Sequence, residues 1–181
     1  MILILGNSDL GSAIQKLIPT AITLGRPKID IRSQEDCDLI VNTYDPTIVI
    51  NTIGILQNSN PWDILLTNYV AGVYLTLGFY EKMQFGQIIN ISSASTYWPS
   101  YPGIDKDRLC YNISKEALSQ FGRHFNRKIV DDNKLVTVTT VEIGKFNSKF
   151  NNNSGGMEID KAAKIVKQVI DNPVAQISVL K

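Results

Sequence analysis

The chain has 181 residues, 44% of them apolar and 19% charged, with a net charge of +1. That size bounds one sizeable core, and the near-neutral charge gives no electrostatic case for nucleic acid or an anionic membrane as partner. Two cysteines, Cys37 and Cys110, make no disulfide framework, and one histidine, His124, all but excludes a His/Cys metal site. The opening residues lack the basic flank and long apolar run of a secretion signal, and no run reaches membrane-spanning length, so a cytoplasmic protein is expected.

Residues 2–5 are an unbroken apolar run, as expected of a strand buried on both faces. A Gly-rich turn, 6–11, leads into a helix over 11–17 that Pro19 closes. Segments 21–24 and 28–31 read as short strands, with only Gly25, Arg26 and Pro27 between them, too short for a crossover helix. Ser33 can cap a helix through about Tyr44. Residues 47–53 are another apolar strand, ending at Gly54.

A long helix is predicted over 62–83, then a strand over 87–91 that ends in Ser92 and Ser93. A Pro/Tyr/Ser-rich loop spans 95–108, and a second long helix 111–130. Residues 135–143 form a β-branched strand ending at Gly144. The polar, Asn-rich stretch 145–156 reads as flexible, 158–170 has helical period, and 175–180 closes the chain as a strand. Apolar strands alternating with helices predict an α/β fold: a Rossmann-type, doubly wound parallel sheet in three α/β/α layers. One domain over 1–181 is expected, with a minimal substrate-binding segment at about 145–156.

In such a sheet, ligands bind at the carboxyl ends of the strands. Gly6-Asn7-Ser8-Asp9-Leu10-Gly11 is a dinucleotide fingerprint with serine at the middle position. Gly6 permits the tight turn, Gly11 lets helix and strand pack closely, and the helix start offers free N–H groups to a pyrophosphate. The second strand ends in Leu24-Gly25-Arg26 with no acidic side chain, which favours NADP(H) over NAD(H).

Tyr111 and Lys115 stand one helical turn apart, their side chains about 5–6 Å apart at the base. A cation beside a phenol lowers its pKa from about 10 and eases proton exchange near neutral pH. With the strand-end hydroxyl of Ser93, the pair can move a proton to or from a carbonyl oxygen. The spacing alone is a weak signal, and its weight comes from the surrounding motifs.

Taken together, these motifs resemble those of the short-chain dehydrogenase/reductase family over nearly the whole chain. Gly6 to Gly11 is similar to the family's first motif, one residue shorter. Asp30-Ile31 resembles the acidic-then-apolar pair that meets the adenine ring. Asn51-Thr52-Ile53-Gly54 stands where the family has Asn-Asn-Ala-Gly, and Asn68 resembles its active-site asparagine. Ser93 resembles the catalytic serine, and Tyr111-Asn112-Ile113-Ser114-Lys115 carries the Tyr-x-x-x-Lys signature. Ile143-Gly144 takes the place of a Pro-Gly, and Ser148 that of a threonine that touches the nicotinamide amide.

The resemblance implies an NADP(H)-dependent oxidoreductase acting on a small carbonyl or alcohol. It implies Tyr111 as proton donor, Lys115 on the ribose hydroxyls, Ser93 on the substrate oxygen, and Asn68 supporting a water that links Lys115 to solvent. It also implies a homodimer or homotetramer, pairing through the helices at 62–83 and 111–130. The chain departs from the family by lacking the helix between its second and third predicted strands. Tyr97, Trp98, Pro99 and Tyr101, in a lengthened loop, read as a wall of the substrate pocket. Two rival readings stand beside the main one. The long loop suggests a sugar-nucleotide epimerase, dehydratase or reductase of the extended branch. The altered motifs suggest a non-catalytic dinucleotide-binding sensor.

Overall fold

A computed structural model describes residues 1–56, 60–97, 106–149, 155–174 and 176–179. The element order is β1 (Ile2–Leu5), α1 (Asp9–Leu17), β2 (Ile22–Leu24), α2 (Gln34–Thr43), β3 (Ile48–Asn51), α3 (Pro61–Leu65) and α4 (Ala71–Lys82). Then come β4 (Phe85–Ser93), α5 (Lys106–Lys128), β5 (Leu135–Ile143), α6 (Ile159–Asp171) and β6 (Gln176–Val179). Among the described residues, six strands pair in the order β2-β1-β3-β4-β5-β6, all parallel.

Parallel strands need apolar residues on both faces, and two cores result. On one face Ile4, Ile50, Ile89 and Val141 meet Leu10 and Ile14 of α1 and Ala162 and Val166 of α6. On the other, Leu3, Val49, Ile88 and Val138 meet Ile40 of α2, Leu75 and Phe79 of α4, and Phe125 of α5. The expected three-layer α/β/α fold is present. The order reverses between β1 and β3, and there the carboxyl ends leave the crevice in which such sheets hold ligands.

Four local expectations give way. Residues 28–31 form no strand. The Asp30 N–H goes instead to the Asp36 carboxylate, 2.7 Å away, and Ser33 caps α2 by accepting from Asp36 N. The segment is therefore spent on starting α2, which is itself the crossover from β2 to β3.

The second long helix begins at Lys106, five residues before Tyr111. The first is not uniform: Leu66–Val70 is a π-helical turn between α3 and α4. Such turns insert one residue and rotate the side chains that follow. The stretch read as flexible is pinned at its described ends, where Asn147 N donates to Met157 O at 2.8 Å and Met157 N to Lys145 O at 3.0 Å. Residues 150–154 lie outside the described residues.

Candidate active site

The turn after β1 is built on close approach. Gly6 has φ +108°, a conformation that glycine adopts without strain. A Cβ on Gly11 would stand 2.1 Å from the Gly6 carbonyl oxygen, so α1 can begin against the turn only with glycine there. Ser8 is the N-cap of α1 and accepts from Gly11 N at 3.3 Å, so its hydroxyl is part of the helix start. The Asp9 carboxylate accepts from Lys149 N at 2.7 Å and ties the turn to the segment after β5. Leu10 is buried in the core. Asn7 donates to the Arg26 carbonyl at 2.7 Å, which joins the turn to the end of β2.

Between these elements lies a cleft of about 500 Å³, lined by Gly6, Asn7 and Ser8, by Arg26 and Asp30 to Arg32, and by Ile53 to Ile55 and Thr67. Asp30 and Ile31 reach it as the sequence suggests. The Asp30 carboxylate is gripped by Arg32 Nε at 2.9 and 3.1 Å, which holds its pKa below the usual carboxylate value. Arg32 also reaches Asp63 of α3 at 3.1 Å. The cleft thus carries a second guanidinium, Arg32, besides the Arg26 singled out in the sequence. Asn51 does not line it: its amide meets Asn90 at 3.2 Å and its carbonyl accepts from Ile53 N at 3.1 Å, so it shapes the end of β3.

Gly54 connects the cleft to the Tyr-x-x-x-Lys pair. A Cβ there would stand 3.3 Å from Lys115 Nζ and 3.6 Å from Asn68 Oδ1. Lys115 is only 4% exposed, and its ammonium donates to the Ile91 carbonyl at 2.9 Å and reaches the Ile53 carbonyl at 3.5 Å. Burial pushes its pKa down to about 8. Asn68, within the π-helical turn, exchanges two 2.8 Å hydrogen bonds with the backbone of Ile55 and donates to Ser114 Oγ at 3.1 Å.

Helix α5 is welded to β4 beneath the pair. Ser92 Oγ donates to the Lys115 carbonyl at 2.8 Å, and Ser119 Oγ donates to Ser92 Oγ at 2.8 Å. These bonds fix the rotation of α5 and turn Tyr111 toward Ser93, whose hydroxyl hydrogen-bonds the tyrosine side chain. Ser93 Oγ also donates to Ser95 Oγ at 2.8 Å, and Ser95 Oγ to Asn112 Oδ1 at 3.1 Å.

One electrostatic expectation is corrected. The Tyr111 pKa is raised, because burial outweighs the Ser93 hydrogen bond and the charge of Arg108. The cation that acts on the phenol is Arg108; the Lys115 ammonium is turned to the strand-end carbonyls instead. The arrangement can therefore hold a protonated phenol beside a serine hydroxyl at neutral pH, with a buried amine one turn away.

Ile143 and Gly144 are buried at the end of β5. Ser148 is 4% exposed, and its hydroxyl has no partner among the described residues. Tyr97 faces a different neighbour from the one expected. Its hydroxyl donates to the buried Glu142 carboxylate, which Arg123 also grips at 3.0 Å, so it anchors the turn after Ser93. Trp98, Pro99 and Tyr101 lie outside the described residues.

The sequence reading passed over Thr52, Thr67 and Glu142. Thr52 Oγ1 donates to the Leu5 carbonyl at 3.0 Å and joins the ends of β3 and β1. Its signal was its place in Asn51-Thr52-Ile53-Gly54. Glu142 carried a signal as a lone acid in an otherwise β-branched strand.

No family model matches the chain, and no curated protein is detectably similar in sequence. Solved structures match its fold closely. A serine dehydrogenase complexed with NADP+ is 18% identical, with the match covering 99% of this chain and 94% of that one at a TM-score of 0.81. Serine dehydrogenase from Escherichia coli is 19% identical over 99% and 96% of the two chains, with a TM-score of 0.80. A short-chain dehydrogenase from Burkholderia cenocepacia in complex with NADP is 14% identical over 99% and 88%, also with a TM-score of 0.80. The chain has the fold of these dehydrogenases.

Proposed function

We propose that this chain is an NADP(H)-dependent short-chain dehydrogenase/reductase that interconverts a small carbonyl compound and its alcohol. The observation that carries this reading is the convergence of Asn68, Ser93, Tyr111 and Lys115 at the ends of β3 and β4, reached through Gly54 from a glycine-walled cleft. The likeness to dehydrogenase folds, two of them holding NADP, supports it.

The cleft fits a dinucleotide. It has glycine where a side chain would collide, a helix start with N–H groups at its floor, two guanidinium groups along one wall, and the Thr67 hydroxyl, which has no partner among the described residues. Gly6, Asn7 and Ser8 would hold the pyrophosphate, with Asp9, Leu10 and Gly11 forming the helix start behind them, and Asp30 and Ile31 would meet the adenine. Arg26, with no acid at the end of β2, supports NADP(H) over NAD(H). Gly54 shapes the far wall, with Asn51 holding the end of β3 behind it, and Ile143, Gly144 and the Ser148 hydroxyl, which has no partner among the described residues, would face the nicotinamide.

When bound, the nicotinamide supplies the hydride chemistry. The chain supplies position and protons. Ser93 Oγ hydrogen-bonds the substrate oxygen, and Tyr111 gives that oxygen its proton in reduction or takes it in oxidation. The raised Tyr111 pKa keeps the phenol protonated in the ligand-free state, as a proton donor must be. Lys115, beside Gly54, would hold the ribose hydroxyls, while Asn68 keeps the backbone at Ile55 in place.

The outer surfaces of the long helices leave Val70, Tyr74 and Leu77, and Leu109 and Ile113, between 36% and 49% exposed. That apolar surface supports a homodimer, which sedimentation velocity would test.

Titrating NADPH and NADH by fluorescence, then offering a carbonyl panel with the tighter cofactor, tests the function. NADPH should bind more tightly and one carbonyl class should be reduced. Tyr111→Phe should keep nucleotide affinity and lose turnover by about 10²- to 10⁴-fold. Normal turnover in that variant would overturn the assigned roles. Tight binding with no turnover across the panel would favour a sensor.

A further inference from the structure

We infer that Thr67 is a nucleotide-binding residue whose hydroxyl donates a hydrogen bond to the adenosine half of the bound dinucleotide. This inference rests on the functional reading above, and it starts from an unpaired atom. Thr67 is 7% exposed, and its Oγ1 is buried with no hydrogen-bond partner among the described residues. A buried hydroxyl without a partner is destabilising, so its retention calls for an explanation.

In an α-helix a threonine ordinarily satisfies itself by bonding the carbonyl one turn back. Nine residues along the same helical run, Thr76 does so, donating to the Gly72 carbonyl at 2.8 Å. Thr67 sits in the π-helical turn Leu66–Val70. There the ladder is widened, and its hydroxyl makes no such bond.

Thr67 is among the residues that line the cleft, with Ile31, Arg32 and Ile55. One turn before it, Asp63 holds Arg32, which in turn holds Asp30. Thr67 therefore lies against the Asp30–Arg32 wall, where the adenosine belongs, while its neighbour Asn68 faces the Tyr-x-x-x-Lys pair. The one extra residue of the π turn lets two consecutive polar side chains serve the two ends of the site. The missing partner of Thr67 is then an acceptor oxygen or nitrogen of the ligand.

Two variants separate the hydroxyl from the packing. Thr67→Val keeps the shape and deletes the hydroxyl; Thr67→Ser keeps the hydroxyl and deletes the methyl. Three probes are titrated into each protein: NADPH, adenosine 2′,5′-bisphosphate and nicotinamide mononucleotide. Thr67→Val should bind NADPH and the bisphosphate about three- to tenfold more weakly, with the mononucleotide unaffected. Thr67→Ser should stay within about twofold of the parent on all three, as expected of a retained hydrogen bond.

A second readout runs the opposite way. Ligand-free Thr67→Val should melt at or above the parent temperature, because it removes an unpaired buried hydroxyl. Equal bisphosphate affinity in Thr67→Val and parent would overturn the inference. So would an equal loss in both variants, or a loss confined to the mononucleotide. If the parent chain bound none of the probes, the functional reading itself would fail and take this inference with it.

Discussion

On the side of the Gly-rich turn, β1, β2 and β3 run four, three and four residues; on the side of the Tyr-x-x-x-Lys pair, β4 and β5 run nine each. The short strands are tied at their ends by side-chain bonds to backbone carbonyls, such as Thr52 to Leu5 and Asn7 to Arg26. The long strands pair in register from Phe85 and Leu135 through Ser93 and Ile143, carry the buried Ser92 and Glu142, and pack against the buried Lys115 and Ser119 of α5. A surface that presents N–H groups and glycine to a ligand needs few residues to support it. A buried ammonium and a set of oriented hydroxyls need a rigid platform.

The comparison can be broken by lesions on each side. The largest effect is expected from Arg123→Ala, which removes the guanidinium beside the fully buried Glu142. Stability in urea should fall by about 3 kcal/mol, because a buried carboxylate is left short of its cation. Activity should fall too, as the Tyr97 anchor after Ser93 loosens. A loss below about 1 kcal/mol would mean that the pair is solvated like an ordinary surface bridge.

Next comes Lys115→Met. The folded pKa of Lys115, about 8, lies below its usual 10.5, so the buried charge costs stability. That cost is fully present below about pH 8 and lifts as pH rises toward 10.5. The ligand-free parent should therefore gain stability over that window, and the variant should not. At pH 7 the variant should be more stable by about 2 kcal/mol while losing turnover. A parent whose stability is flat across the window would refute the assignment.

Gly11→Ala probes the opposite side. Its Cβ would press on the Gly6 carbonyl oxygen, and a cost of about 1.5 kcal/mol is expected, with weaker nucleotide binding. Asp63→Asn should be the mildest, below about 1 kcal/mol, since Asp63 and Arg32 are both partly exposed. Calorimetry on both variants checks the ranking. If the glycine-turn variants proved the more damaging, the contrast between the two halves would fall.

Most of the architecture was legible because it rests on local pattern. The unbroken run of β1, the serine cap of α2 and the β-branched β5 each declare themselves within a few residues. What stayed hidden depended on neighbours far along the chain. Residues 28–31 alternate like a strand, but a strand needs a partner, and Asp30 is claimed by Asp36 and Arg32. The π turn at 66–70 has no composition signal; it coincides with the reach of Asn68 to Ile55, thirteen residues upstream. The spacing of Tyr111 and Lys115 placed them on one face, but it could not show that the Lys115 ammonium would face one carbonyl of β4 and one just past the end of β3.

The brevity of β2 has a consequence for how copies of this chain behave in a crowd. It is the outermost strand on its side among the described residues, and an open sheet edge is a template on which another chain can add. This edge offers three residues. The chain then passes through Gly25, a charged Arg26, and Pro27, which has no N–H to give. By forgoing a strand at 28–31, the protein keeps its rim too short and too interrupted for strand-by-strand growth. That spares it the aggregation hazard that a longer exposed edge would carry.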